Sequence, residues 1–475
     1  MRYLSFFLAT LAIISISLAA KAADKPHIIL VMADDQGWGD MAYNGHTTVK
    51  TPNFDDAAAT GLRFDRFYAA APVCSPTRAS VMTGRHPNRM GVFKWGYPMR
   101  PQETTLAEAL KTAGYTTGHF GKWHLGSVRN ESPANPGKNG FDRWVSAPNF
   151  YDNDAVMSDE GKAVQRTGES SFIAVDDALA WMKEVLKGDA PIFSVIWFGS
   201  PHSPHRAVEE DRALYADQPE AMQHFLGEVT GMDRAFGKLR DSLTELGIRD
   251  NTILWYCSDN GALPKVGSTG GFRGTKGKVY EGGLLVPAIL EWPAKIPAPR
   301  ITDLRCNTSD IYPTLLEIVG VTMPHQPPLD GVSLVPLINN QAPASRAHGM
   351  GFWDHVVKGV STPSDAWMGE LLAAQQAGKD LPAPESSQIA AQLPNPPHPT
   401  DAFPGHAAWI KENWKLHRIE DPKKVTITWE LYNLAADPYE EKDLAASETE
   451  RVAAMTTELE NWLSSVARSL NGEDY

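Results

Sequence analysis

His27-Ile28-Ile29-Leu30-Val31-Met32-Ala33-Asp34-Asp35-Gln36-Gly37 runs apolar from Ile28 to Ala33 and then stops on two adjacent carboxylates. An apolar run without polar alternation is the pattern of a strand buried on both faces. Two carboxylates at the end of such a strand are costly unless positive charge faces them. Without that charge, the pair reads as a solvated turn closed by Gly37.

The pattern recurs along the chain. Residues 192–198 form a second apolar run, which ends on Gly199-Ser200-Pro201-His202-Ser203-Pro204-His205. Residues 252–257 form a third, ending on Ser258-Asp259-Asn260-Gly261, and residues 284–290 a fourth. Helical spacing separates them. Residues 52–61 read as a helix stopped by Gly61. Leu106, Ala109, Leu110 and Ala113 mark another, stopped by Gly114. Met222, Phe225, Val229, Met232, Phe236, Leu239, Leu243 and Leu246 make a long amphipathic stripe. Residues 310–320 close with a Gly stop. Strands separated by helices predict an α/β fold with a largely parallel sheet. In such folds the site lies outside the carboxyl ends of the strands. Asp34, Asp35, His202, Asp259 and Asn260 are therefore expected to share one crevice. Their oxygen donors suit a hard divalent cation, Ca²⁺ first and Mg²⁺ as runner-up, and no Cys or His cluster points to zinc.

Residues 62–68 read as a strand leading to Cys74-Ser75-Pro76-Thr77-Arg78-Ala79-Ser80-Val81-Met82-Thr83-Gly84. Pro76 suits the first turn of a helix, so Cys74 lies at a helix N-terminus, where free N–H groups favour an anion. Arg78 follows one turn later and reaches the same anion. That grouping suggests chemistry on an oxyanion ester, although Cys74 taken alone is more simply an inert buried thiol. Farther on, Lys122 and His124 fall on one side of an extended chain, as a cation and a proton carrier or as two solvated side chains. Residues 267–277 read as a mobile, Gly-rich basic loop with Arg273 and Lys276, and Lys278 follows directly.

The chain has 475 residues and a formal net charge of −13, which argues against a nucleic-acid partner. Residues 1–22 read as an export signal and nothing later resembles a membrane span, so a periplasmic or secreted protein is expected. Three cysteines, Cys74, Cys257 and Cys306, make no disulfide framework, and a Cys257–Cys306 bridge is left open. A large domain is expected over 23–340 and a smaller one over 341–475. In the latter, 380–405 is a Pro-rich loop, 408–419 and 425–432 are strands of an antiparallel sheet, and Val452, Met455, Leu459, Trp462, Leu463 and Val466 mark a closing helix.

Cys74-Ser75-Pro76-Thr77-Arg78 with Thr83-Gly84 resembles the sulfatase motif C-x-P-[ST]-R followed by T-G. Gly114 to Leu125 resembles that family's second motif, G-Y-x-[ST]…G-K-x-H. The likeness extends from about His27 to Leu431-Tyr432-Asn433-Leu434 and Asp437-Pro438. The chain is thereby identified as similar to the type I, formylglycine-dependent sulfatases of the alkaline-phosphatase-like fold. The resemblance implies that a formylglycine-generating or equivalent maturation enzyme oxidises Cys74, and that the hydrated aldehyde binds the metal and attacks sulfur. It implies metal ligation by Asp34, Asp35, Asp259 and Asn260 and charge stabilisation by Arg78, Lys122 and Lys276. Lys276 is preferred to Lys278 because Lys276-Gly277 precedes Val279-Tyr280-Glu281-Gly282-Gly283 in the family's register. His202 becomes the acid for the leaving alcohol, and His124 assists expulsion of sulfate.

The expected substrate is a sulfated carbohydrate, with aryl sulfates as artificial substrates. Its contacts would come from Lys94, Trp95, Tyr97 and Arg100, from His205 and Arg206, and from Trp353, Asp354 and His355. The competing readings are a phosphonate or phosphate monoester hydrolase on the same scaffold and a non-catalytic sulfoglycan-binding homologue.

Overall fold

Apolar side chains on both sides of β1 (His27–Ala33) create the layers. Ile28, Leu30 and Met32 join one core, and Ile29, Val31 and Ala33 join the other. Each of the Ile, Leu, Val and Met side chains, taken fully out of water, contributes roughly 1.5–3 kcal/mol. The computed structural model describes residues 25–384, 392–421 and 426–475. The expected signal segment 1–22, part of the Pro-rich stretch and Val425 lie outside those residues.

Among the described residues, the large sheet has eleven strands. Its middle is parallel: β8 (Thr252–Ser258), β1, β7 (Ile192–Trp197), β3 (Thr116–Lys122) and β4 (Arg143–Ala147) lie side by side in that order. Beyond β8, the strand β9 (Leu285–Glu291) is antiparallel and leads to β2 (Leu62–Tyr68), which β10 (Arg300–Thr302) and β11 (Cys306–Asn307) join in parallel. Beyond β4, the strands β5 (Val156–Asp159) and β6 (Lys162–Gln165) finish the sheet as a hairpin. Sequence patterning did not pick out β4 to β6. They are short and half-polar, so they carry no long apolar run.

One face of the sheet is covered by α1 (Pro52–Thr60), α4 (Ser170–Val185) and α6 (Glu220–Glu245). The other is covered by α2 (Cys74–Thr83), α3 (Leu106–Thr112), α8 (Ile311–Val319) and α9 (Val335–Ile338). Two single-turn helices, α5 (Glu209–Arg212) and α7 (Glu281–Leu284), sit in connections. The α/β expectation therefore holds, with a large and mostly parallel sheet.

A second sheet of four antiparallel strands follows: β12 (Met350–Asp354), β13 (Gly405–Lys411), β14 (Trp414–Asp421) and β15 (Thr426–Asn433). Residues 408–419, expected as one strand, fold back on themselves as parts of β13 and β14. The turn is at Glu412-Asn413, where Glu412 takes φ +53°. The closing helix α11 (Thr449–Leu470) packs Met455, Leu459, Leu463 and Val466 on this sheet. The helix α10 (Ser364–Gln376), C-terminal to residue 340, buries Met368 and Leu371 in the main core. Cys257 and Cys306 are buried and free, so no bridge joins them.

Candidate active site

Four neighbouring strands end together. The chain leaves β1 at Asp34-Asp35, β8 at Asp259-Asn260, β3 at Lys122 and β7 toward His202. Backbone bonds hold the ends in register: Asp34 N–H donates to Ser200 O at 3.0 Å and Asp259 N–H to Ala33 O at 3.2 Å. Helix α2 brings Cys74 to the same place at its first residue, and Gly84 ends that helix at φ +70°. Cys74, Asp34, Asp35 and His202 each offer a ligand atom within 4.8 Å of the others.

Each acid meets a cation. Lys122 Nζ lies 2.6 Å from Asp34 Oδ2, and Lys276 Nζ lies 2.6 Å from Asp35 Oδ2. Arg78 donates from Nε and Nη2 to Asp259 Oδ2 at 3.1 and 2.7 Å, and from Nη1 to Lys122 O at 3.2 Å. Its guanidinium sits 5.0 Å from the Trp197 ring centroid. Asn260 Nδ2 donates to Asp35 Oδ1 at 2.8 Å, and Asp35 N–H donates to Asp259 Oδ1 at 3.0 Å.

Burial opposes the charge on Asp35, but Lys276, His202 and Lys122 outweigh it and hold the carboxyl below its usual range. Asp259 goes the other way. Burial, then the neighbouring charge of Asp34, push it up to about 6. Burial first, with the surrounding cations opposing it, pushes the Cys74 thiol up to about 12, so the thiol itself stays protonated and is a poor nucleophile. Burial and the facing cations hold His124 neutral, well below the ordinary imidazole value.

The residues fit a divalent cation. Asp34 Oδ1 and Asn260 Oδ1 are buried and accept no hydrogen bond among the described residues. With Asp35 and Asp259 they form a hard oxygen set. The side chains of Asp34, Asp35, Asp259, Arg78 and Lys122 are buried, and Lys276 is nearly so.

His202 is half-buried beside Asp35, with Nε2 3.5 Å from Asp35 Oδ2. Its Nδ1 is 2.6 Å from Ser203 O, a contact that puts a proton on Nδ1 and leaves Nε2 facing the site. His124 is buried and both its ring nitrogens lack a protein partner among the described residues. It does not continue the extended alternation of β3. Its φ of +54° is left-handed, so a local turn rather than strand geometry orients it. The basic loop expected to be mobile is tied down: Lys276 N–H donates to Ala262 O and Gly277 N–H to Pro72 O.

The expected substrate contacts divide. Trp95 is 45% exposed, and its loop is anchored beside Cys74 by Gly96 N–H donating to Ser75 Oγ at 2.8 Å. Tyr97 packs edge-on against Phe93, and Phe93 lies against His355. Lys94 pairs with Asp354, and buried Trp353 donates to Pro404 O at 3.0 Å. His205 Nδ1 is 3.1 Å from Glu228, and exposed Arg206 reaches Asp152 at 3.3 Å. Arg100 has almost no exposed surface and lies close to Tyr475, Glu103 and Arg85. Sequence reading missed Phe150, whose ring lies 5.5 Å from that of His202, and Trp197 beneath Arg78. Both are aromatic residues that a pattern search assigns to the core.

The protein-family model described as Sulfatase matches residues 26–321. The chain belongs to the sulfatase family. This sulfatase is 33% identical over 365 residues to the N-acetylgalactosamine-6-sulfatase of Canis lupus familiaris, a match covering 67% of each chain. It is 31% identical over 367 residues to the arylsulfatase A of Homo sapiens, covering 69% of this chain and 70% of the other. Among solved structures, it resembles Ps i-CgsB with a TM-score of 0.77 at 25% identity, covering 92% and 93% of the two chains. The same protein has been solved in complex with k-i-k-neocarrahexaose, with a TM-score of 0.76. A phosphonate monoester hydrolase of Agrobacterium radiobacter shares the fold, with a TM-score of 0.60 at 21% identity. The protein is thus a type I sulfatase of the alkaline-phosphatase-like superfamily and a sulfuric ester hydrolase.

Proposed function

We propose that this sulfatase hydrolyses sulfate esters of a carbohydrate, with Cys74 as formylglycine precursor and Asp34, Asp35, Asp259 and Asn260 as ligands of a divalent cation, Ca²⁺ before Mg²⁺. The observation that carries the reading is the meeting of Cys74 with three cations and an oxygen-donor set at adjoining strand ends. Carbohydrate esters are favoured by the names of the relatives and by the exposed Trp95 beside the anchored Ser75. An export route, to periplasm or medium, fits the apolar N-terminal stretch, and no helix among the described residues is long and apolar enough to cross a membrane.

The three carboxylates and three cations of the site cancel one another. A bound divalent cation supplies the excess positive charge that receives a sulfate and lowers the pKa of an attacking hydroxyl. The hydrated aldehyde made from Cys74 supplies that hydroxyl, and a second one through which sulfate can leave. Arg78 cannot swing, because its Asp259 fork and its bond to Lys122 O fix it, so it offers preorganised positive charge. Lys122 and Lys276 each spend one N–H on a carboxylate and keep others for sulfate oxygens. His202 presents Nε2 toward the leaving oxygen. Burial, opposed by Asp35, lowers its pKa to about 4, so a proton held there is readily given up, and an anion bound beside it favours its protonation. His124, neutral and unpartnered, is available as a proton acceptor.

The function is tested with matched aryl sulfate and aryl phosphate in calcium-loaded enzyme. Faster sulfate turnover is expected, and faster phosphate turnover would overturn the reading. The role of His202 has its own test. His202→Ala should lower turnover of a sugar sulfate by about 10²–10⁴-fold. It should spare nitrophenyl sulfate, whose leaving group needs no proton. Equal losses on both substrates would refute the acid role.

A further inference from the structure

Lys276 stands on a loop that a different part of the molecule holds in place. The loop closes on the α7 turn at Glu281-Gly282-Gly283, and there the backbones touch directly. Gly282 N–H donates to Arg273 O at 2.7 Å, and Gly261 N–H, next to Asn260, donates to Gly283 O at 3.0 Å. A Cβ on Gly283 would lie 2.0 Å from Lys278 O, and one on Gly282 would lie 2.4 Å from Gly274 O. With no side chain between them, a shift of Glu281 passes to the loop without being absorbed.

Glu281 is fixed from the small sheet. Lys415 on β14 has no exposed side-chain surface, and its Nζ lies 2.9 Å from Glu281 Oε1 and 3.0 Å from Glu440 Oε1. Glu440 Oε2 accepts the Glu281 N–H at 2.7 Å, and Tyr68 OH donates to Glu281 Oε2 at 2.8 Å. His417 Nε2 completes Glu440 Oε1 at 2.7 Å, and its Nδ1 lies 2.8 Å from His406 Nε2. All four carboxylate oxygens are thus occupied. Arg273, on the loop itself, donates to Tyr432 OH at 2.8 Å and to Glu440 O at 3.1 Å. Lys415, His417, Tyr432 and Glu440 all lie outside residues 26–321, the span matched by the family model.

Buried ion pairs add little stability compared with apolar residues of the same volume, because desolvation offsets their attraction. What a fully satisfied network does supply is a single geometry. We infer that Lys415, acting with Glu281 and Glu440, is a positioning residue for Lys276: the small sheet sets where that ammonium stands against Asp35. The inference rests on the sulfatase reading and on the role of Lys276 within it.

A double-mutant cycle tests it on the full-length enzyme. Sulfate release is measured for wild type, Lys276→Ala, Lys415→Met and the double variant. Each rate is normalised to folded protein whose Cys74 is converted, as counted by peptide mass spectrometry. Lys415→Met should lower kcat/KM by about tenfold, and should cause no further loss when Lys276 is already alanine. Losses that multiply would mean that the network merely holds the domains together, and a wild-type rate in Lys415→Met would end the proposal outright. If Lys415→Met does not fold, the same cycle is run with Arg273→Gln, whose side chain is partly exposed, and the same outcomes decide. An inactive wild type with converted Cys74 would instead refute the sulfatase reading.

Discussion

Cys74→Ala is expected to lower sulfate release by at least about four orders of magnitude while the protein stays folded and still binds its substrate. The reason lies in the chemistry available at position 74. The side chain is buried at the first residue of α2. Alanine fits there without a cavity larger than one sulfur atom, so the fold should lose little. The side chains that meet Asp34 and Asp35 among the described residues, Lys122, Lys276, Arg78, His202, Asp259 and Asn260, carry no hydroxyl or thiol. Cys74→Ser separates the mechanisms more finely. A serine hydroxyl can take up sulfate, but it has no second hydroxyl through which to expel it. That variant is expected to stop after one turnover with a sulfo group attached to position 74, detected by peptide mass spectrometry. Steady turnover in Cys74→Ala would overturn the proposed mechanism.

Arg78→Met gives the second large effect, on stability as well as rate. Arg78 and Asp259 are both fully buried, and three guanidinium nitrogens are committed. Removing the guanidinium strips Asp259 Oδ2 of its two donors beside the charge of Asp34, with Lys122 as the remaining nearby cation. Breaking a buried pair by deleting one partner costs about 3–5 kcal/mol. Denaturant unfolding of the variant should show that loss, and turnover should fall by at least about 10²-fold. Arg78→Lys should recover part of the stability but little of the rate, because a compact ammonium does not reproduce the planar set of three nitrogens that spans Asp259 and Lys122 O. Unchanged unfolding in Arg78→Met would show that the pair is not structural, and near-normal turnover would remove Arg78 from the chemistry.

Much of this was legible in the sequence because it is written in local patterns. The runs at 28–33, 192–198 and 252–257 announce buried strands, and the polar residues directly after them mark one edge of a sheet. The Cys74 motif states its own helix through Pro76 and Gly84. Less legible were the strands β4 to β6, whose half-polar faces give no run to count, and the turn at Glu412-Asn413, which divides what reads as one strand. The surroundings of Arg100 were not legible either, because its neighbour Tyr475 lies 375 residues away in the chain.

Sequence alone therefore determined the fold class, the family and the chemical types gathered at the strand ends. Those follow from periodicity and from motifs of a few residues. The tertiary structure decided how they face each other. Adjacent residues of a continuing strand point to opposite faces, so Asp34 and Asp35 could not both enter one site by strand geometry alone. They do so because Asp35 takes φ +73°, a left-handed conformation that costs on the order of 1–3 kcal/mol and is held by its bond to Asp259 and by Asn260 and Lys276. Those three partners come from positions more than 220 residues away, and no local pattern encodes their meeting.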